Sequence, residues 1–261
     1  MTEVALVSLM HDPEGRLYRA MASVFPRLRS LFAAHYVVLS GSTLGEVGEE
    51  LTRLGTSWRR EEGPGVGAAR RQALALARRE GHATMVYCDL DRALHWAQRY
   101  PDELAATRDR AGAFDFLVIG RTARAFATHP RVMTETESLA NRVFALAHGR
   151  EWDLCAAACG LSARAADVVL RESRVTGFGT EAEWPKLALG RGLKVGFVAV
   201  EGLEYETPDR FPEEVAAAGG VVAWTEAQSL VPANWVQRLA LATDIARAGL
   251  PPSDCGCLGR R

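Results

Sequence analysis

No stretch of eighteen apolar residues occurs in the chain, and no charged-then-apolar leader opens it: Met1-Thr2-Glu3 runs straight into an apolar strand. A bilayer-spanning helix needs about that many apolar residues, so no integral membrane segment is expected, and a cytoplasmic protein is. Charge of one sign is also lacking. The 31 Lys and Arg against 32 Asp and Glu leave a formal net charge of -1, which removes the electrostatic footprint of a nucleic-acid partner. Cysteine is sparse and odd in number, five in all, so reduced thiols are expected rather than a disulfide framework. A zinc site built from Cys155 and Cys159 with Cys255 and Cys257 is conceivable, but the spacing fits no familiar zinc pattern. Small buried residues and a mobile tail from Gly249 onward read better. Repeats and low-complexity linkers are missing, which leaves one α/β domain. Its expected extent is residues 1–211, followed by a C-terminal helical appendage over 212–261.

What is present is concentrated between Gly63 and Asp91: a glycine-punctuated turn, an arginine-rich amphipathic helix, and a buried strand ending in acid. Met85-Val86-Tyr87-Cys88 is apolar and Asp89-Leu90-Asp91 is not. If the strand continues, residues two apart face the same side, so Asp89 and Asp91 share a ligand. Paired carboxylates at a strand end suit a divalent cation, Mg2+ or Mn2+, that also holds substrate phosphates. The competing reading is a turn or a helix N-cap, where Asp is equally at home.

The remaining pattern alternates strand and helix. Val4 to Leu9 predicts a strand, and Gly15 to Ala34 a helix with an apolar face from Leu17 to Phe32 that Pro26 should kink or break. Tyr36 to Leu39 is a second strand ending in Ser40-Gly41-Ser42-Thr43, followed by a short helix through Leu54. Ser57 to Glu61 is a polar third strand. Helices are expected near His95 to Arg99, from Pro101 to Ala111, over Thr134 to Ala147 on a Leu139, Val143, Leu146 face, and from Trp235 to Ala248. Further strands are expected at Phe116 to Ile119, Lys194 to Val200 and Val221 to Trp224. Such an order builds a mainly parallel sheet flanked by helices.

Gly63-Pro64-Gly65-Val66-Gly67-Ala68 matches a dinucleotide fingerprint, G-x-G-x-x-A, with Asp89 some way downstream. That fingerprint belongs directly after a buried strand, and Trp58 to Glu62 is charged, so a Rossmann dehydrogenase is the lesser reading. More of the chain fits another pattern. From about Val4 to Val200, Gly41-Ser42-Thr43 after the second strand, Gly67-Ala68-Ala69-Arg70 at a helix start, Asp89-Leu90-Asp91, and Thr180-Glu181-Ala182-Glu183-Trp184 before a helix occur in one order. Together they resemble the GT-A glycosyltransferases, particularly glycosyltransferase family 2.

The resemblance implies a Rossmann-like GT-A fold and transfer of a hexose from a nucleoside-diphosphate sugar to a hydroxyl acceptor. It implies Asp91 on the metal, with Asp89 assisting it or touching the ribose, and Arg70 at the phosphates near Gly65. Glu181 would be the base that deprotonates the acceptor, supported by Glu183. His11, Asp12 and Ser40 would contact the nucleotide. Residue chemistry keeps alternatives open: Thr180 and Glu183 have capping-box spacing, and His11-Asp12 can simply start the turn before Pro13. Three departures stand out. Leu39-Ser40 replaces the family's Asp pair, Glu replaces its common Asp base, and no histidine follows His148, so Glu201, Glu204 or water would substitute for a histidine ligand, or the metal would rest on Asp91 and phosphates alone. A sugar nucleotidyltransferase and a catalytically silent nucleotide- or partner-binding homologue are the alternatives.

Overall fold

A computed structural model describes residues 3–251. Seven strands form one sheet: β1 (Val4–Met10), β2 (Ala34–Leu39), β3 (Ser57–Arg60), β4 (Thr84–Cys88), β5 (Phe116–Arg121), β6 (Ala158–Ser162) and β7 (Val195–Val200), in the order β3-β2-β1-β4-β6-β5-β7. All neighbours are parallel except β6, which runs antiparallel to both β4 and β5. Twelve α-helices cover the described residues: α1 (Tyr18–Leu31), α2 (Gly45–Arg53), α3 (Val66–Arg79), α4 (Leu90–Arg99), α5 (Pro101–Ala111), α6 (Ala123–Ala127), α7 (Arg131–His148), α8 (Ala163–Glu172), α9 (Thr180–Gly190), α10 (Pro212–Ala217), α11 (Val221–Ser229) and α12 (Pro232–Gly249).

Central strands read as unbroken apolar runs because helices cover both faces of the sheet. β1 is buried at every position. Val7, Tyr36, Met85 and Tyr87 point into a layer shared with α3, α8, α9 and α12. Leu6, Val37, Val86 and Cys88 point into the layer beneath α1, α2, α4 and α5. Parallel strands place their carboxyl ends on one edge, so the residues just after β1, β2 and β4 meet there. β6, entering from the opposite direction, brings Ala157 and Ala158 alongside Cys88 and Asp89. This is where open α/β sheets bind ligands.

Several expectations change. Pro26 lies inside α1 without ending it, since Phe25 and Leu28 on either side are buried and their packing holds the helix together. Val221 to Trp224 is helical, not a strand: a four-residue apolar run does not identify its own period. The buried face of α7 carries Val132, Met133, Thr136, Glu137, Ala140 and Phe144, while Leu139 and Leu146 are exposed. Apolar spacing pointed to the wrong face because the true one buries a paired glutamate. Cys155 and Cys159 are buried free thiols, and Cys255 and Cys257 lie outside the described residues, as does nearly all of the expected mobile tail. No helix among the described residues is long and apolar enough to cross a membrane.

Candidate active site

A cleft of about 530 Å³ opens at the carboxyl edge of the sheet. Arg70 organises its floor. The buried face of α3 is made of Gly67, Ala69, Ala73, Leu74 and Ala77 together with Arg70, so the guanidinium enters the core and must find partners there. Its Nε donates to the Tyr87 hydroxyl at 3.1 Å, one Nη to Thr180 Oγ1 at 3.0 Å, and the other to Asp89 Oδ2 at 3.4 Å and Glu181 Oε1 at 3.2 Å. The Tyr87 hydroxyl in turn donates to Asp89 Oδ1. One buried arginine therefore ties the end of β4 to the start of α9.

The close approach that allows this depends on two glycines. Gly65, at φ 82, would drive a Cβ to 2.5 Å from the Thr176 carbonyl, and a Cβ on Gly67 would lie 2.4 Å from the Val175 carbonyl. The glycine-rich turn thus lets α3 press against the 173–180 loop. Gly65 itself does not line the cleft, whereas Val66 does.

Asp89 and Asp91 both line the cleft, though strand alternation is not the reason. β4 ends at Cys88, Asp89 occupies the N-cap position of α4, and Asp91 falls in its first turn. Asp91 Oδ1 accepts from the Arg92 amide at 2.9 Å, and Oδ2 forms a 3.4 Å ion pair with Arg210. Burial lifts the Asp89 carboxyl above its ordinary range despite the pull of Arg70. Burial likewise raises Glu181 to about 7, again against Arg70, with Glu137 adding to the rise.

The other anticipated residues divide. His11 and Ser40 line the β1–β2 end of the cleft with Leu9, Glu61 and Val66, and His11 Nδ1 lies 2.8 Å from Ser40 Oγ. Asp12 is buried outside the cleft, where its two oxygens accept from the amides of Arg16 and Leu17 at 2.9 Å each. Glu183 is also withdrawn: its carboxylate takes the Ser173 hydroxyl at 2.5 Å and the Arg174 amide at 2.9 Å, so it braces the loop packed on α3. No capping box forms, because Thr180 already lies inside the helix and receives Arg70. Glu201 and Glu204, the expected substitutes for a metal-binding histidine, pair with Arg124 and do not line the cleft.

Sequence patterns missed Glu206, Arg92, Arg210 and Arg238, all of which do line it. Arg92 directly follows the acidic pair and was the one with a local signal. The other three sit in the irregular segment after β7 and on α12, where no motif marks them. Glu206 is almost fully buried, its Oε2 has no hydrogen-bond partner, and its nearest cation is Arg92 Nε at 3.9 Å.

No three His, Cys, Asp or Glu side chains among the described residues gather into a complete metal-binding set. The oxygens that do face the cleft nevertheless fit a magnesium- or manganese-type ion that keeps water and phosphate as its other ligands, for such sites need only one or two carboxylates. Asp91 and Glu206 both line the cleft, the Asp91 oxygens being engaged by the Arg92 amide and Arg210 and the Glu206 Oε2 being buried without a hydrogen bond.

Sheet order, the reversed β6 and an acid-lined cleft at the carboxyl edge are those of the GT-A fold. No family profile matches the sequence, and no curated protein matches it. Among solved structures, glucosyl-3-phosphoglycerate synthase from Mycobacterium tuberculosis shares this fold. Its complex with Mn2+, UDP-glucose and phosphoglyceric acid aligns with 97% of this chain and 81% of its own at a TM-score of 0.54 and 16% identity. A second structure of that enzyme aligns with 97% and 82% at a TM-score of 0.59 and 14% identity. At these identities the likeness is one of fold.

Proposed function

We propose that the chain is a metal-dependent glycosyltransferase that moves a hexose from a nucleoside-diphosphate sugar to a hydroxyl acceptor. The observation that carries this reading is the pair of Asp89 and Glu181 held on buried Arg70, with Asp91 lining the same cleft at the carboxyl edge of a GT-A sheet. Mn2+ and UDP-glucose in the structurally similar synthase support it. So does charge: six carboxylates and four arginines line the cleft, and such an acidic surface takes up a diphosphate far better with a cation than without one.

In this reading Leu9, His11, Ser40, Glu61 and Val66 receive the nucleoside, and Asp91 holds the cation with help from Glu206 or Asp89. When bound, the cation neutralises charge that builds on the departing diphosphate. Arg70 opposes the rise that burial imposes on the Asp89 carboxyl and aligns it. The bond from the sugar anomeric carbon to phosphate breaks, the bond from that carbon to the acceptor oxygen forms, and the acceptor proton must leave. Glu181 is the base for that proton, because a carboxylate poised near pH 7 gives and takes protons at little cost.

A thermal-shift panel of nucleoside diphosphates and sugar nucleotides, with and without manganese, tests the reading on the parent and on Asp91→Ala. One nucleotide should raise the melting temperature only with metal, and the substitution should abolish the rise. No rise with any nucleotide would leave a silent homologue.

A further inference from the structure

His95 lies one helical turn beyond Asp91 on α4, and residues four apart share a helix face. It does not line the cleft, so it is not a donor-pocket residue. Its ring is 5% exposed and held from two sides, with Nδ1 2.6 Å from Asp209 Oδ2 and Nε2 3.3 Å from Glu204 Oε1. Glu204 and Asp209 bracket the segment that carries Tyr205, Glu206 and Thr207 into the cleft, with Arg210 immediately after.

Other contacts fix the ends of this segment. Glu103 of α5 accepts the amides of Glu201 and Gly202 at 2.8 Å each, along with the Trp96 indole N–H at 2.9 Å, and the Asp91–Arg210 pair closes the far end. Between them, His95 bonds to both flanks of Glu206, and Trp224 stacks on Tyr205 and Phe211 from the side of α11. Burial alone would favour the neutral imidazole, but hydrogen bonding to Asp209 and Glu204 outweighs it and raises the His95 pKa.

We propose that His95 is a positioning residue: by tying Glu204 and Asp209 to the helix that carries Asp91, it sets Glu206 and Arg210 where the cleft receives a metal-bound diphosphate. This rests on the reading of the cleft as a nucleotide-sugar site. The buried apolar surface of α4 comes from Leu90, Ala93, Leu94, Trp96 and Ala97, while the His95 ring spends both nitrogens on the 204–209 segment.

The test uses the full chain, its His95→Gln and Asp209→Asn variants and their double variant. Binding of manganese pyrophosphate is measured by calorimetry, because that probe lacks a base and reports on the diphosphate wall alone. Amide hydrogen exchange is followed over residues 203–210 in the absence of any ligand. Each single variant should speed exchange there about tenfold or more and weaken pyrophosphate binding by a similar factor. The double variant should be little worse than either single one, as expected for two ends of one contact. A purely structural role would lower the melting temperature and leave the dissociation constant of the folded protein unchanged, which overturns the proposal. Unchanged exchange in a folded variant overturns it too. If His95→Gln does not fold, Asp209→Asn carries the test from the more exposed side of the contact. A parent protein that ignores manganese pyrophosphate, yet shows the exchange effect, refutes the reading of the cleft and with it the role assigned to His95.

Discussion

Arg70 has one positive charge, a side chain 3% exposed and two carboxylates that depend on it. Removing it leaves Asp89 and Glu181 without their buried counter-charge. Arg70→Met should therefore cost about 3 to 5 kcal/mol of stability in a denaturant melt, as breaking a buried pair from one side usually does. Arg70→Lys keeps the charge but not the fork that reaches four oxygens at once, so it should recover only part of the loss. Glu181 makes a prediction whose sign follows from its raised pKa. Between its ordinary value of 4.5 and about 7, the folded protein holds a proton that the unfolded chain has released. Stability thus falls as pH rises through that window. Glu181→Gln carries no ionisable group there, so its melting temperature relative to the parent should climb from about pH 5 to about pH 8, with at most about 3 kcal/mol at stake. A difference that stays flat with pH would show that burial does not govern this carboxyl. Transferase activity of the parent, if Glu181 is the base, should rise across the same interval.

Among the elements, the junction of α3 with the 173–180 loop is the most sensitive to a small change. Gly67→Ala places a methyl group 2.4 Å from the Val175 carbonyl and 3.0 Å from that of Gly177, which a chain segment braced by Glu183 cannot easily yield. A loss of about 1 to 3 kcal/mol is expected in thermal or chemical melts, although alanine is the better helix former. Activity should fall further than stability, since the same shift moves Arg70 away from Glu181. β1, β2, β4 and β5 were legible because both of their faces are covered and their apolar runs stand out, whereas β6, built from Ala158-Cys159-Gly160-Leu161-Ser162, carries too short an apolar signal to be read as a strand. The face of α7 was not, because Thr136 and Glu137 are buried: Thr136 returns its hydroxyl to the Val132 carbonyl, and Glu137 pairs with Arg121 at 2.7 Å. Polar residues satisfied inside a fold look like surface residues in a sequence.

At the scale of the molecule, ligand binding should show as stability. A nucleoside diphosphate with manganese at about a hundred times its dissociation constant should add about 2.7 kcal/mol, and a chelator should remove that gain. α12 belongs to this scale as well. It packs on α7 and α9 and lends Gln237, Arg238, Leu241, Ala242 and Ile245 to the cleft. Substituting Arg238 therefore bears on the site from the far end of the chain.

Local chemistry was enough to determine most of the alternation of strand and helix and the acidic pair after β4, and the order of motifs singled out the arginine on α3 and the carboxylate in the first turn of α9. Each is carried by neighbours in sequence: an apolar run, a helical period, a glycine turn. Only the tertiary structure decided what those groups do to one another. It gave Asp12 and Glu183 to backbone amides, put Glu201 and Glu204 on Arg124, and brought Glu206 and Arg210 to the acidic pair. The contacts of Asp12 and Glu183 are local but end on backbone groups and a hydroxyl that no motif marks, while Arg70 and Glu181 meet across 111 residues. Neither kind leaves a periodicity to read, and a buried charge finds its partner through packing rather than spacing.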